Sequence, residues 1–400
     1  MLELLKKYPA FRNFWFAQAI SQIGDRIHSL ALLWVVYSFT GSSTYVGVIM
    51  IATTLPGIIL GPFAGTFADR HDRKKIMILT DFARSIIVFY LAFQSYGNTL
   101  TVNDLIVATV FMSISSAFFN PSALSFLPNL VPVESLTRAN AMSQLCASVS
   151  AVAGPLLGSG LIALIGVMPA FIVNGISFLM SAVFLMFIKN MDKGKKRKKA
   201  GFFGELKAGW KSAREIPLVI KLLAPVAIVN FFFSAIVILV PVYAQGIYKA
   251  GSTGLGILMS GFGGGMLLSS IFLSLRRFQL KIRTYIIGGF LFIGIAFMII
   301  GSMEYFYVTM LGIFISGFML NMLNINLITL YQKMLPDEVR GKVFGLITAI
   351  SLSLQPVAYG VMGVLVDKWE PGHVMLVSGV FILLCTVYLA LIKELKEIEK

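Results

Sequence analysis

Few ionisable side chains in this chain stand where they could do chemistry. Asp25 and Arg26 sit together inside one apolar stretch, and Asp81 and Arg84 stand three apart in another, a spacing that lets them pair on a helix. A charge inside a bilayer costs roughly 2.5 to 3.5 kcal/mol on insertion scales, so Asp25 must face a partner or a cavity. Two uses of it are open: a permanent pair with Arg84 or Arg26, or uptake and release of a proton as its surroundings change. The signatures of other chemistries are missing. No HExxH, GxSxG or GxxxxGK[ST] run occurs. Cys146 and Cys385 lie inside apolar segments, and His28, His71 and His373 are too scattered to suggest a metal site. The expectation is a protein that is not an enzyme and holds no cofactor or metal.

The elements that must position these residues are membrane spans. Of 400 residues 57% are hydrophobic and only 13% charged, with a mean hydropathy of +0.85, outside the range of a soluble domain of this length. A crossing helix needs about 20 mostly apolar residues. Twelve such runs are predicted, at 11–39, 43–68, 76–96, 102–127, 137–165, 167–189, 218–248, 252–275, 282–301, 305–332, 340–366 and 373–392. The tightest turns fall at Gly41 and Gly166. With both termini in the cytoplasm, 29 of the 33 Lys and Arg residues fall on the cytoplasmic side, which satisfies the positive-inside rule and assigns the net charge of +15 to topology rather than to nucleic acid. The N-terminus has no short apolar core with a small-residue cleavage site, so the first span reads as retained. The chain is expected in the cell (plasma or inner) membrane as a multi-pass protein.

The runs fall into two groups of six. Residues 1–189 form an N-terminal bundle, 190–217 a basic cytoplasmic linker and 218–400 a C-terminal bundle. The halves match at an offset near 204: Asn120 with Asn324, Pro132 with Pro336, Glu134 with Glu338, Arg73 with Arg277 and, after a small shift, Pro155 with Pro356. A parallel six-helix repeat is a build of secondary transporters.

One short stretch is unusual. In GTFADRHDRKK, residues 65 to 75, seven ionisable residues in a row, Asp69 to Lys75, follow the uncharged stretch Ser29 to Ala68. Its spacing of Gly65, Asp69, Arg70, Arg73 and Lys74 resembles the loop signature between helices 2 and 3 of the major facilitator superfamily. AVAGPLLGSG, with Gly154, Pro155 and Gly158, resembles the antiporter signature on helix 5. QAISQIGDRIHSLALLW, RANAMSQ and RGKVFGL are similar to the drug:proton antiporter group that includes macrolide-efflux and enterobactin exporters.

The resemblance implies an all-α membrane protein of two six-helix bundles, the major facilitator fold. It implies that the charged loop latches to the start of helix 11, where Asp337 and Glu338 offer partners for Arg73 while Asp69 meets the helix N-terminus, with Arg340 counted among the gating residues. The second half keeps Arg277 but has Leu273 in place of Asp69, so only one latch is complete. It also implies a central cavity lined by helices 1, 4, 7 and 10, whose residues at depth include Gln22, Trp34, Phe118, Asn120, Asn230, Phe233, Asn321 and Asn324, joined by Gln355 and Tyr359 of helix 11. Aromatic rings with a few amides suit large, amphiphilic, weakly charged molecules. Gly154 and Pro155 read either as a stiff bend that resists leak or as plain close packing.

The expected function is proton-coupled export of small amphiphilic compounds, multidrug or macrolide-like, by a monomer in the lipid bilayer. The proton gradient drives it, and Asp25, Arg26, Asp81 and Arg84 are the coupling candidates. A siderophore or metabolite exporter and a lipid flippase are alternatives of the same fold, and a transport-inactive membrane receptor is the alternative of another class.

Overall fold

The computed structural model describes residues 2–189, 210–275, 281–335 and 337–397. Among them the regular structure is helical, because inside a bilayer a helix satisfies every backbone N–H and C=O within itself. The twelve long helices are α1 Pro9–Thr40, α2 Ser43–Arg70, α3 Arg73–Tyr96, α4 Val102–Phe126, α5 Leu136–Ile165, α6 Met168–Met186, α7 Pro217–Pro241, α8 Gly251–Leu275, α9 Ile282–Ser302, α10 Phe306–Met334, α11 Asp337–Lys368 and α12 Pro371–Leu391. Eleven of them have both the length and the hydropathy to cross a bilayer. The remaining one, α1, has ample length at 32 residues, and Asp25, Arg26 and His28 near its middle hold its hydropathy down.

Helix ends follow local chemistry. Gly41 closes α1 at φ 61°, its N–H reaching Tyr37 O at 2.8 Å, and Gly166 closes α5 at φ 93°; both are left-handed positions that glycine takes without a Cβ penalty. Asp72 caps α3 by accepting from Lys75 N at 3.1 Å. Thr101 and Asp104 form a reciprocal capping box on α4. Pro9, Pro217 and Pro371 open their helices, where the missing N–H costs nothing.

The chain divides into two compact units. The described residues of one fall within Met1–Gly41, Val48–Lys198 and Ala250–Ser260, and those of the other within Ser42–Gly47, Lys199–Lys249 and Gly261–Lys400. In the first, α1 packs on α5 and α6, and α3 on α4 and α6. In the second, α7 packs on α11 and α12, and α9 on α10 and α12. The same four pairings recur six helices later, which is the spatial counterpart of the sequence offset. Large apolar side chains such as Leu79, Phe93, Leu164 and Leu391 stay exposed, as a lipid-facing surface requires. The linker residues 190–209 and Arg277 lie outside the described residues.

Candidate functional site

The charges at membrane depth gather on α1, α3 and α6. Asp81 is fully buried. Arg84, three residues on, binds Asp81 Oδ1, and Ser181 of α6 donates to Asp81 Oδ2 at 2.6 Å. The Arg84 guanidinium lies between the rings of Phe119 on α4 and Phe178 on α6, 4.4 Å from each centroid. A buried pair held on both sides in this way is stabilised by attraction in a low dielectric and by hydrogen bonds that offset desolvation. Arg84 Nε has no hydrogen-bond partner among the described residues.

Asp25 differs. It stands midway along α1 and is half-buried, and its carboxylate forms no hydrogen bond or ion pair among the described residues. The charges that act on it are Arg84, Asp81 and Arg26. Arg26 itself is exposed, with its Cβ packed where a side chain on Gly154 would sit. One turn beyond Asp25, His28 is buried against Phe171, ring centroids 5.4 Å apart, with Nδ1 unpartnered among the described residues. On the other side of Asp25, Gly24 lets α6 approach closely: a Cβ there would lie 2.6 Å from Asn174 Oδ1.

Of the expected cavity residues, Gln22 and Asn120 line a cleft of about 760 Å³ between α1, α4 and α5. Phe118 packs edge-on against Phe67 at 5.6 Å, and Trp34 is half-buried further along α1. In the second unit Asn324 is exposed, whereas Asn230, Gln355 and Tyr359 are half-buried. Asn321 donates to Met266 O at 3.0 Å and Ser270 Oγ at 2.9 Å, so its amide ties α10 to α8. Phe233 is buried between Phe262 and Phe297, each 5.7 Å away, and serves the core.

In the charged loop, Asp69 and Arg73 pair with each other at 3.4 Å, an i,i+4 contact. Lys74 donates to Met186 O at 3.0 Å and Ile188 O at 2.6 Å, capping the carbonyl end of α6. Arg70 is exposed, and a Cβ on Gly65 would meet no atom within 4 Å. Asp337, Glu338 and Arg340 open α11, and their side chains lie outside the described residues. Gly154 and Gly158 set the crossing of α1 on α5: a Cβ on Gly158 would lie 3.2 Å from Ile27 Cα. The opposite face of α5 receives the start of α8, where Ser260 donates to Val152 O at 2.8 Å and Gly256 packs against Pro155 O and Ser159. Small residues on α5 therefore permit close approach on two faces.

Sequence reading missed Ser181 and Phe178, two of the partners of the buried pair, and also Asp367. Asp367, in the last turn of α11, accepts from Ser42 Oγ at 2.5 Å, Ser43 N at 2.6 Å and Thr44 N at 2.9 Å, capping the start of α2. No local pattern marks it, because its partners lie 323 to 325 residues away.

Residues 14–358 match the family described as Major Facilitator Superfamily. Over 393 residues the chain is 23% identical to macrolide efflux protein A of Streptococcus pyogenes, covering 97% of each chain. Over 183 residues, 45% of this chain and 44% of the other, it is 33% identical to a Bacillus amyloliquefaciens protein named as a bacilysin exporter. Its structure is similar to that of a bacterial homologue of the iron transporter ferroportin in an inward-facing state, with a TM-score of 0.77 at 16% identity, covering 96% of this chain and 98% of that one. At that identity the likeness is one of fold.

Proposed function

The chain belongs to the major facilitator superfamily and is a multi-pass membrane transporter, and from that premise we propose that it exports small amphiphilic compounds in exchange for protons. Both termini lie on the cytoplasmic side in this reading, as the Lys and Arg distribution favours. The relatives named for macrolide efflux and bacilysin export support the outward direction.

The observation that carries proton exchange is the contrast between two carboxylates. Asp81 is satisfied on both oxygens by Arg84 and Ser181, so its charge is held. Asp25 is at membrane depth, without a hydrogen bond among the described residues, in the field of Arg84, Asp81 and Arg26. A group whose proton affinity changes as its surroundings change couples a gradient to a conformational cycle. Asp25 is the titrating group in this reading, and Arg84 is the fixed cation beside it.

The test uses proteoliposomes. The wild type is expected to show substrate counterflow and faster transport under an imposed pH gradient. Asp25→Asn is expected to keep counterflow and lose the gradient response. A gradient response that persists in Asp25→Asn removes Asp25 from coupling, and absence of counterflow by the wild type across a broad panel of amphiphiles removes the exporter.

A further inference from the structure

The short helix Leu2–Lys7 sets Leu4 into the core beside Leu127, Leu130 and Val131. A cleft of about 370 Å³ opens between this helix and the first turns of α5. Its floor is Leu4, Ala141 and Met142, and the charged side chains on its wall are Lys7, Arg138 and Glu3. All three are exposed, and none forms an ion pair among the described residues. Lys7 Nζ lies over the ring of Tyr8, 5.6 Å from its centroid. Two cations against one carboxylate leave the wall net positive, and the hydroxyls of Tyr8 and Ser135 add donors to it.

Arg138 also heads an apolar track. At 3.6 residues per turn, Leu145 and Val149 fall on the face of α5 that carries Arg138. They are 43% and 45% exposed, as contact with hydrocarbon requires. Trp15 stands at the floor of the cleft, its Nε1 donating to Met142 O at 3.2 Å. Such amphipathic rings gather at the boundary between bilayer and water. A positive cleft at that boundary therefore continues into an apolar strip. A free anion would use the cations alone, and an uncharged lipid the strip alone. A phospholipid of net negative charge uses both.

We propose that this cleft binds the headgroup phosphate of an anionic phospholipid, with Lys7 and Arg138 as its counter-charges and an acyl chain along Leu145 and Val149. The bound lipid bridges the helix Leu2–Lys7 to α5. In the orientation proposed above it comes from the cytoplasmic leaflet, whose surface is the more anionic. Glu3 repels a phosphate nearby, so the cleft favours a headgroup with a single negative charge over a multiply charged one. The site is independent of the transport reading, because it involves neither the cargo nor Asp25.

The test titrates the purified full-length protein in non-ionic detergent and counts bound lipid by native mass spectrometry. The probes are short-chain phosphatidylglycerol, phosphatidylcholine with the same chains, glycerophosphate without chains and the matching diacylglycerol without phosphate. The wild type is expected to bind phosphatidylglycerol roughly tenfold more tightly than each of the other three. Lys7→Gln and Arg138→Gln are each expected to weaken phosphatidylglycerol by about fivefold, the worth of one basic residue at a membrane surface. The double variant is expected to bind phosphatidylglycerol and phosphatidylcholine alike. Lys6→Gln, which removes the same charge from the same helix outside the cleft, is expected to keep the preference. Equal binding of phosphatidylglycerol and phosphatidylcholine by the wild type overturns the proposal. Glycerophosphate bound as tightly as phosphatidylglycerol overturns it too, by showing a site for free phosphate, and neither result depends on how a variant folds. A preference that survives the double variant, or that Lys6→Gln lowers as much as Lys7→Gln does, shows general attraction rather than this cleft and also overturns it.

Discussion

Ser181 on α6 donates its hydroxyl hydrogen to Asp81 Oδ2 on α3 at 2.6 Å, across 100 residues of sequence, while Arg84 holds the other oxygen. The carboxylate is closed on both sides, and Phe119 and Phe178 close the guanidinium. Removing either charge alone leaves the other buried without its partner. Asp81→Leu and Arg84→Leu are each expected to cost about 3 to 5 kcal/mol of stability, and the double variant much less than the sum. Denaturant unfolding in detergent checks this; additive losses would show that the pair is not a unit.

The crossing of α1 and α5 separates two glycines that the sequence presents alike. A Cβ on Gly154 would clash with Arg26 Cβ, whereas one on Gly65 meets nothing within 4 Å. Gly154→Val is expected to destabilise by about 1 to 3 kcal/mol, the usual cost of overpacking. Gly65→Ala is expected to leave thermal stability unchanged. Loss of transport by a stable Gly65→Ala protein would then report a close approach in another conformation, and a large fall in its melting temperature would contradict the open surroundings seen here.

Asp367 supplies a carboxylate to the N-terminus of α2, where the helix dipole and two free N–H groups favour an anion. Loss of such a cap costs about 0.5 to 2 kcal/mol. Asp367→Ala should therefore speed amide exchange across residues 43–47 by about twofold to thirtyfold. Unchanged protection there would mean that packing of Gly47 on Tyr359, rather than the carboxylate, holds this turn.

Glu394 on the short helix Lys393–Glu397 accepts a hydrogen bond from Lys221 of α7, and that bond holds its carboxyl below its ordinary value of 4.5. A depressed folded-state pKa gives stability that is complete above the unfolded value and fades as pH falls through the folded one. Attachment of the terminal helix should be flat from about pH 8 to pH 5 and weaken in more acid solution, with Glu394→Gln removing the dependence. Proteolytic sensitivity of the C-terminal segment against pH reads this out; loosening already near pH 7 would rule the pair out as its cause.

Much of the fold is legible in the residues because the signals are local. Apolar run lengths mark the spans, Gly41 and Gly166 mark two turns, and the spacing of Asp81 and Arg84 presents an i,i+3 pair that the helix forms. The i,i+4 contact of Asp69 with Arg73 was equally legible in the spacing, and the chain forms it. Lys74 shows the opposite limit. As a basic residue after a span it needs only topology to explain it, but it caps carbonyls more than 100 residues away.

By itself, the sequence determined the membrane class, the number and approximate extent of the long helices, the internal repeat and the small set of charges that a bilayer would tolerate only for a reason. Each of these depends on hydropathy and spacing within one segment. The tertiary structure decided that Arg84 and Ser181 hold Asp81 while Asp25 forms no hydrogen bond or ion pair among the described residues, and that Asp367 caps α2. Those outcomes depend on which helices touch, and on how closely glycine and serine let them approach. Hydropathy is blind to the partner, so composition could say that Asp25 and Asp81 need one but not that, among the described residues, Asp81 forms an ion pair and Asp25 does not.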